Sequence, residues 1–165
     1  PYQIMAQLCV LPKVTQVLLA NPRDAKKAQA AVQRSRVIVT ATPSTKPLIQ
    51  ADWVQPGTHL NAIGADMEGK QELDAKLFQG AQAYTDDVPQ ASEVGEIQNP
   101  IKAGVIKPEQ VVEIGNSLLD PTLGRHDANA ITIFDSTGIA LQDLAAANLA
   151  FVRAKEQGVG TQVDL

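Results

Sequence analysis

The stretch "SRVIVTATPS", Ser35 to Ser44, decides the fold. Val37, Ile38, Val39 and Thr40 are all β-branched and fit a pleated, buried strand, and Pro43 forbids that strand to continue as a central one. A buried strand ending in a polar loop is the unit to look for elsewhere. Upstream, "VTQVLLA" (Val14 to Ala20) is a β-rich run closed by "NPRD", where Asn21 and Pro22 favour a turn and Asp24 can cap a helix over Ala25 to Gln33. Downstream, "THLNAIG" reads as a strand ending at Gly64, "QAYTDD" as another, and "AITIFDS" as a third. The last is followed by a long helix through "GIALQDLAAANLAFVRAKEQ", with Ser136 or Thr137 as its N-cap and Gly158 as its C-cap. Strands that repeatedly hand over to helices argue an α/β protein with a mostly parallel sheet.

The intervening segments are weaker. "PLIQADWVQPG" is expected as a short link, "ELDAKLFQGA" as a short helix, and "SEVGEIQNPIKAGVI" as loop with helical pieces. From Tyr2 to Leu11 apolar residues recur at helical spacing until Pro12. In the long C-terminal helix Leu141, Leu144, Ala145, Asn148 and Val152 share one face, and Ala146, Ala147 and Phe151 broaden it, so the helix needs packing on more than one side.

Composition bounds the function. The 165 residues suit one domain, residues 1–165, able to bury roughly 70% of the unfolded chain's surface. No apolar run approaches the roughly 20 residues of a membrane span. A net charge of -4 with scattered signs offers no basic patch for nucleic acid. Pro1 opens the sequence and no basic segment leads into an apolar one, which gives the expectation of a cytoplasmic protein without membrane contact. The lone Cys9 reads as a small core residue, and with only His59 and His126 besides it a metal site is not expected.

In open α/β sheets, ligands lie beyond the carboxyl ends of the strands, and three such ends carry candidate chemistry. Asn21 and Arg23 follow the first. A dinucleotide fold reads the adenosine ribose there, and Arg accommodates a 2′-phosphate, so the pair leans towards NADP; alternatively "NPRD" is only a turn and cap. "TATPST", Thr40 to Thr45, offers hydroxyls to a cofactor phosphate or ribose, or bonds only itself. In "NAIGADMEGKQELD", Asn61 to Asp74, Gly64 lets backbone approach a ligand and Asp66 projects as a candidate proton carrier, or as a turn former. "IFDSTG" lacks the flanking glycines of a nucleophile elbow, and Glu93 and Glu96, three apart, read as a solvated face.

In sequence order "VIVTATPSTKPLI", "PGTHLNAIGADMEGKQELD", "GEI" and "ITIFDSTGIALQDLAAANLAFVRAKEQGVGTQVDL" resemble the ornithine cyclodeaminase/mu-crystallin family. The resemblance covers nearly everything from Val37 to Leu165, and Tyr2 to Gln33 more loosely. It implies a Rossmann-like domain that binds NAD or NADP, with residues 131–165 returning to a second, dimerising domain. It also implies hydride chemistry on a small-molecule amino acid or imine, of the cyclodeaminase or ketimine-reductase kind. By residue matching, Asp66 in "NAIGAD" becomes the proton donor and acceptor. Asn61, Ala62, Ile63, Gly64 and Lys70 would line the cofactor, Thr42 would meet it at its strand end, and Ser136 would lie near nicotinamide and substrate.

Departures set further expectations. No strand with a Gly-rich G-x-G-x-x-(G/A) turn precedes the first helix, one crossover is missing between Gln33 and Ser35, and the family's substrate domain is not in the sequence. The chain is then either a fragment or a shortened relative. A shortened relative would bind cofactor weakly or not at all, show no cyclodeaminase turnover, and cover the apolar face of its long helix in a homodimer. The alternative function is a non-catalytic binding or oligomerisation module, a use that mu-crystallin's binding of thyroid hormone shows the scaffold allows.

Overall fold

The computed structural model describes residues 14, 16–161 and 163. The expected helix at Tyr2 to Leu11 and Cys9 lie outside the described residues. Among the described residues there are seven strands: β1 (Val37–Thr40), β2 (Thr45–Ile49), β3 (His59–Ala62), β4 (Gln71–Leu73), β5 (Gln82–Thr85), β6 (Val111–Glu113) and β7 (Thr132–Asp135). Five of them form one sheet in the order β1-β3-β7-β5-β6 with every pair parallel, and β2 and β4 form a separate parallel pair. The helices are α1 (Ala25–Gln33), α2 (Val88–Val94), α3 (Gln98–Lys102), α4 (Ile114–Leu119) and α5 (Ala140–Gln157). The expected α/β architecture, Rossmann-like with a long C-terminal helix, is the observed one.

Register explains why the sheet holds. Ile38, Leu60, Ile133, Ala83 and Val111 stand side by side across the five strands, and all are buried. Burying side chains such as Leu60 and Ile133 contributes about 1.5–3 kcal/mol each. Leu73, Phe78, Ala91 and Ile97 complete this core from β4, α2 and the turns beside them. Because strand side chains alternate, His59 and Thr132 lie on the opposite face, joined by a 2.7 Å hydrogen bond between Nδ1 and Oγ1. Arg125 reaches into the same patch and donates to Thr132 Oγ1 and to the carbonyls of Gly57 and Thr58.

α1 begins as its sequence dictates, since Asp24 accepts the amide of Lys27 and Ala28 and Val32 turn inward. Several local expectations are corrected. Val14 and residues 16–20 form no strand, because β-propensity supplies no ladder partner and, among the described residues, β1 pairs only with β3. Part of the "PLIQADWVQPG" link is β2, where Pro47 is tolerated because only β4 lies beside it. "ELDAKLFQGA" splits into β4 and a 3₁₀ turn, Ala75–Phe78, capped by Asp74 on the amide of Lys76. β6 and α4 arise in "VVEIGNSLL", which has no clear period.

α5 is bounded differently at its two ends. Gly158 closes it in the left-handed region, φ 63°, its amide bonding back to Ala154 and Lys155. At the start neither Ser136 nor Thr137 caps it, for Ile139 is the N-cap residue and supplies no side-chain bond. None of the helix's residues is buried.

Candidate functional site

Parallel pairing brings the carboxyl ends of the five large-sheet strands to one edge. Thr40, Ala62, Asp135, Thr85 and Glu113 are aligned across the sheet, and the loops that follow them carry most of the residues singled out from sequence. Beyond β1 lies Thr42. Both its amide and its hydroxyl donate to Glu72 Oε1, each at 2.7 Å. Beyond β3, the Gly64 amide donates to Glu72 Oε2 at 2.9 Å. Gly64 is therefore glycine for an internal reason: a Cβ there would lie 2.3 Å from the Thr42 carbonyl oxygen and 2.5 Å from the Glu72 carboxyl carbon. The close approach read as room for a ligand is filled by the protein's own groups.

The loop from Ala65 to Lys70 carries Asp66, which forms an ion pair with Lys70 through Oδ1. The Asp66 side chain is 54% exposed and that of Lys70 18%. The loop is held from behind by α3, since Gln98 accepts the Gly69 amide at 2.9 Å and donates to the Met67 carbonyl, and Asn99 donates to the carbonyl of Lys70. Asp66 is thus an exposed carboxylate on a pinned loop beside a cation.

Other residues fall elsewhere. Asn61 is inside β3 on the open face, its Oδ1 at 3.2 Å from His59 Nε2. Burial first, and then the Arg125 charge, push the His59 imidazole below its usual range, against the bond to Asn61, so it is neutral at pH 7. The Ala62 methyl is in the core and its carbonyl accepts the Ser136 amide, while the Ile63 amide donates to Thr40. Ser136 donates to Asp86 at 3.3 Å. Asn21 accepts the Arg23 amide in a local turn, and both side chains are exposed. That turn is not remote from the strand ends: Ala20 and Pro22 share a cleft of about 230 Å³ with Thr40, Ala41 and Thr42.

Sequence reasoning missed the acids behind this edge. Glu72, Glu96 and Asp135 are all 0% exposed. Glu96, expected on a solvated face, accepts the amides of Glu72 and Leu73 instead. Burial, together with the negative charges of Asp135 and Glu72, pushes its carboxyl up to about 8 against those two bonds. Asp135 accepts the Ile97 amide at 3.0 Å, and burial, with Asp86 and Glu72 nearby, pushes it to about 7. The available signal was "GEI", an acid between a glycine and an isoleucine. Gly95 has no room for a Cβ, which would lie 2.4 Å from Asp135 Oδ2.

Among the described residues no three His, Cys, Asp or Glu side chains gather as metal ligands. Nor is any described helix long and apolar enough to cross a membrane. A dinucleotide would meet polar groups here in the Thr40 hydroxyl, which lines the cleft and has no hydrogen-bond partner among the described residues, and in the charged Asp66–Lys70 loop. The amides of Thr42 and Gly64, already committed to Glu72, offer nothing to a phosphate.

An open parallel α/β sheet with polar loops at its carboxyl edge defines a domain of the Rossmann-like class. The chain belongs to the ornithine cyclodeaminase/mu-crystallin family, whose sequence profile matches residues 15–158. It is 46% identical over 138 residues to an alanine dehydrogenase of Archaeoglobus fulgidus, covering 82% of this chain and 43% of that protein. The iminosuccinate reductase of Paracoccus denitrificans, solved in complex with NAD+, superposes with a TM-score of 0.78 at 41% identity, over 84% of this chain and 42% of that one. An archaeal alanine dehydrogenase dimer with bound NAD gives 0.79 at 38% identity, over 99% of this chain and 49% of that one. The chain spans under half the length of these relatives.

Proposed function

We propose that this chain, residues 1–165, is the nicotinamide-binding part of an oxidoreductase or cyclodeaminase acting at the α-carbon of an amino acid or its imine. Residues 131–165 form the strand and helix leading to a dimerising region. The observation that carries the reading is Asp66, paired with Lys70 on a loop pinned at the carboxyl end of β3. NAD or NADP supplies a hydride acceptor or donor when bound. Thr42, Asn61, Ile63, Gly64, Lys70 and Ser136 belong to the strands and loops around that position, with Ala62 contributing backbone alone. Asp66 moves the proton that amine attack or imine formation requires, and the Lys70 ammonium fixes its carboxylate through a charge-assisted hydrogen bond. Asn21 and Arg23, exposed on either side of Pro22, which lines the Thr42 cleft, favour a 2′-phosphate and hence NADP over NAD.

The test is a titration of the chain with NADH and NADPH, followed by Trp53 fluorescence. Binding of either at micromolar concentration supports the reading, and a lower Kd for NADPH supports the role of Arg23. Alanine, proline, ornithine and pyrroline-2-carboxylate with both nicotinamides then separate the substrates. Absence of binding to both nucleotides would favour a second reading, a non-catalytic oligomerisation module. That second reading has its own observation in α5, where Leu141, Leu144 and Phe151 are each about two-thirds exposed.

A further inference from the structure

Glu72 is a buried carboxylate, and among the described residues its partners include no cation. A charge taken out of water costs several kcal/mol unless donors replace its hydration. Here three donors do so, the Thr42 amide and hydroxyl on one oxygen and the Gly64 amide on the other. They come from two different loops. Glu72 itself stands on β4, which belongs to the small sheet with β2, so one side chain of the small sheet ties together the ends of β1 and β3 in the large one.

The tie is braced from behind. Glu96 accepts the amides of Glu72 and Leu73, and the next amide along, that of Ile97, donates to Asp135 on β7. A continuous run of hydrogen bonds therefore leads from the end of β7, through Glu96 and Glu72, to the loops beyond β1 and β3. Gly64 is two residues before Asp66. Fixing the Gly64 amide fixes where the Asp66 loop leaves the sheet, and its distance from Thr42.

We infer that Glu72 is a positioning residue whose carboxylate sets the separation of the Thr42 and Gly64 loops, and through Gly64 the place of Asp66, for a nicotinamide dinucleotide bound across the ends of β1 and β3. The inference rests on the cofactor reading proposed above. The clamp itself does not, and it can be measured separately.

Hydrogen exchange on the wild-type chain is the first arm. The Thr42 and Gly64 amides lie outside every strand and helix, and the clamp protects them to the degree seen at Leu60 inside β3. Exchange at open-loop rates overturns the clamp whatever the cofactor does. The second arm is Glu72→Gln, which turns one acceptor into a donor facing an N–H. It lowers protection at both amides by about tenfold or more, leaves Leu60 and Ile133 protected, and raises the Kd for NADH about tenfold. Glu72→Asp, which keeps the charge on a shorter stem, recovers part of both losses. Ile133→Val, destabilised without touching the clamp, leaves the Kd unchanged. If Glu72→Gln does not fold, Glu72→Asp and the wild-type exchange carry the decision. Loosened loops with unchanged NADH affinity would reduce Glu72 to a structural tie and overturn the inference. Protected amides in a wild-type chain that binds neither NADH nor NADPH would overturn the cofactor reading, and with it the ligand that the clamp is inferred to serve.

Discussion

The Glu96 carboxyl grips the main chain of Glu72, accepting its amide at 2.9 and 3.0 Å with its two oxygens, so that one buried acid supports the strand carrying another. Two further carboxylates, Asp135 and Asp86, lie close enough for their charges to be felt along this line. Three buried acids without an ion-pair partner among the described residues cannot all be ionised cheaply. The molecule resolves this by keeping protons on Glu96 and Asp135 into the neutral range.

That resolution makes stability depend on pH in a defined direction. Glu96 is raised from 4.5 to about 8, and Asp135 from 3.8 to about 7. Below the lower values both folded and unfolded chains are protonated, and the stabilisation from these two acids is fully present. Between the lower and upper values the folded chain holds protons that the unfolded chain releases, so stability falls as pH rises and is lost through about 7 to 8. The melting temperature should therefore decline from pH 5 to pH 9. Glu96→Gln, which mimics the protonated acid and keeps an oxygen for Leu73 and Glu72, should flatten that slope. An unchanged slope would show that Glu96 does not hold the proton.

Asp86 anchors the connection from β7 to α5. It accepts from the Thr137 amide and hydroxyl, the Gly138 amide and the Ser136 hydroxyl. Thr137 is only 9% exposed, so removing the carboxylate leaves its donors with little access to water. Asp86→Ala should lower unfolding free energy by about 2–3 kcal/mol in urea denaturation, with Asp86→Asn intermediate because it keeps one acceptor oxygen.

Much of the architecture was legible from sequence because short apolar or β-branched runs bounded by turn residues mark candidate strands. β1, β3, β5 and β7 are of that kind, and α1 with its Asp24 cap was legible too. Val14 and residues 16–20, read in the same way, form no strand without a neighbour to pair with. β2, β4 and β6 were not legible, since Pro47 in β2, the helix-like pattern around β4 and the aperiodic stretch around β6 hide them, and each exists through the neighbour it pairs with. The site divides in the same way. Asp66 stands out as an acid on a glycine-flanked loop, and Lys70 follows from the family match. Glu72, Glu96 and Asp135 are acids in buried places, which local pattern cannot reveal, because their donors come from residues 8 to 38 positions away. Ser136 and Thr137 looked like helix caps for a related reason: Asp86, 50 and 51 residues upstream, takes their hydroxyls.

Two glycines should respond in opposite ways to the same change. At Gly95 an added Cβ would meet Asp135 Oδ2 at 2.4 Å and the Ala91 carbonyl oxygen at 2.8 Å, so Gly95→Ala must break the bond from the Ile97 amide or shift α2. A loss of about 3 kcal/mol or more, or insoluble protein, is expected. Gly115, inside α4, has nothing within 4 Å of the added carbon. Gly115→Ala should stabilise by about 0.5–1 kcal/mol through helix propensity alone. Thermal unfolding of the two variants checks both.

Asp66 offers a separation of function from stability. Its pair with Lys70 is half in water, and such pairs contribute about 0–1 kcal/mol. Asp66→Asn should leave the melting temperature nearly unchanged while reducing turnover, in the complete enzyme, by about 100-fold or more if Asp66 carries the proton. Equal turnover in the variant would remove Asp66 from the mechanism.

α5 poses the last question, since 18 residues of helix without a buried side chain should be marginal in water. Leu141, Leu144 and Val152 lie along one face, 68%, 66% and 41% exposed, and Phe151 beside them is 67% exposed. A second copy of this chain, presenting the same stripe, is the cover we expect for it. Sedimentation velocity should give a dimer. Leu144→Glu should shift it to monomer and reduce helical circular dichroism together, because the helix and its cover stand or fall as one. A wild-type monomer at high concentration, with α5 still helical, would show that the stripe needs no second copy.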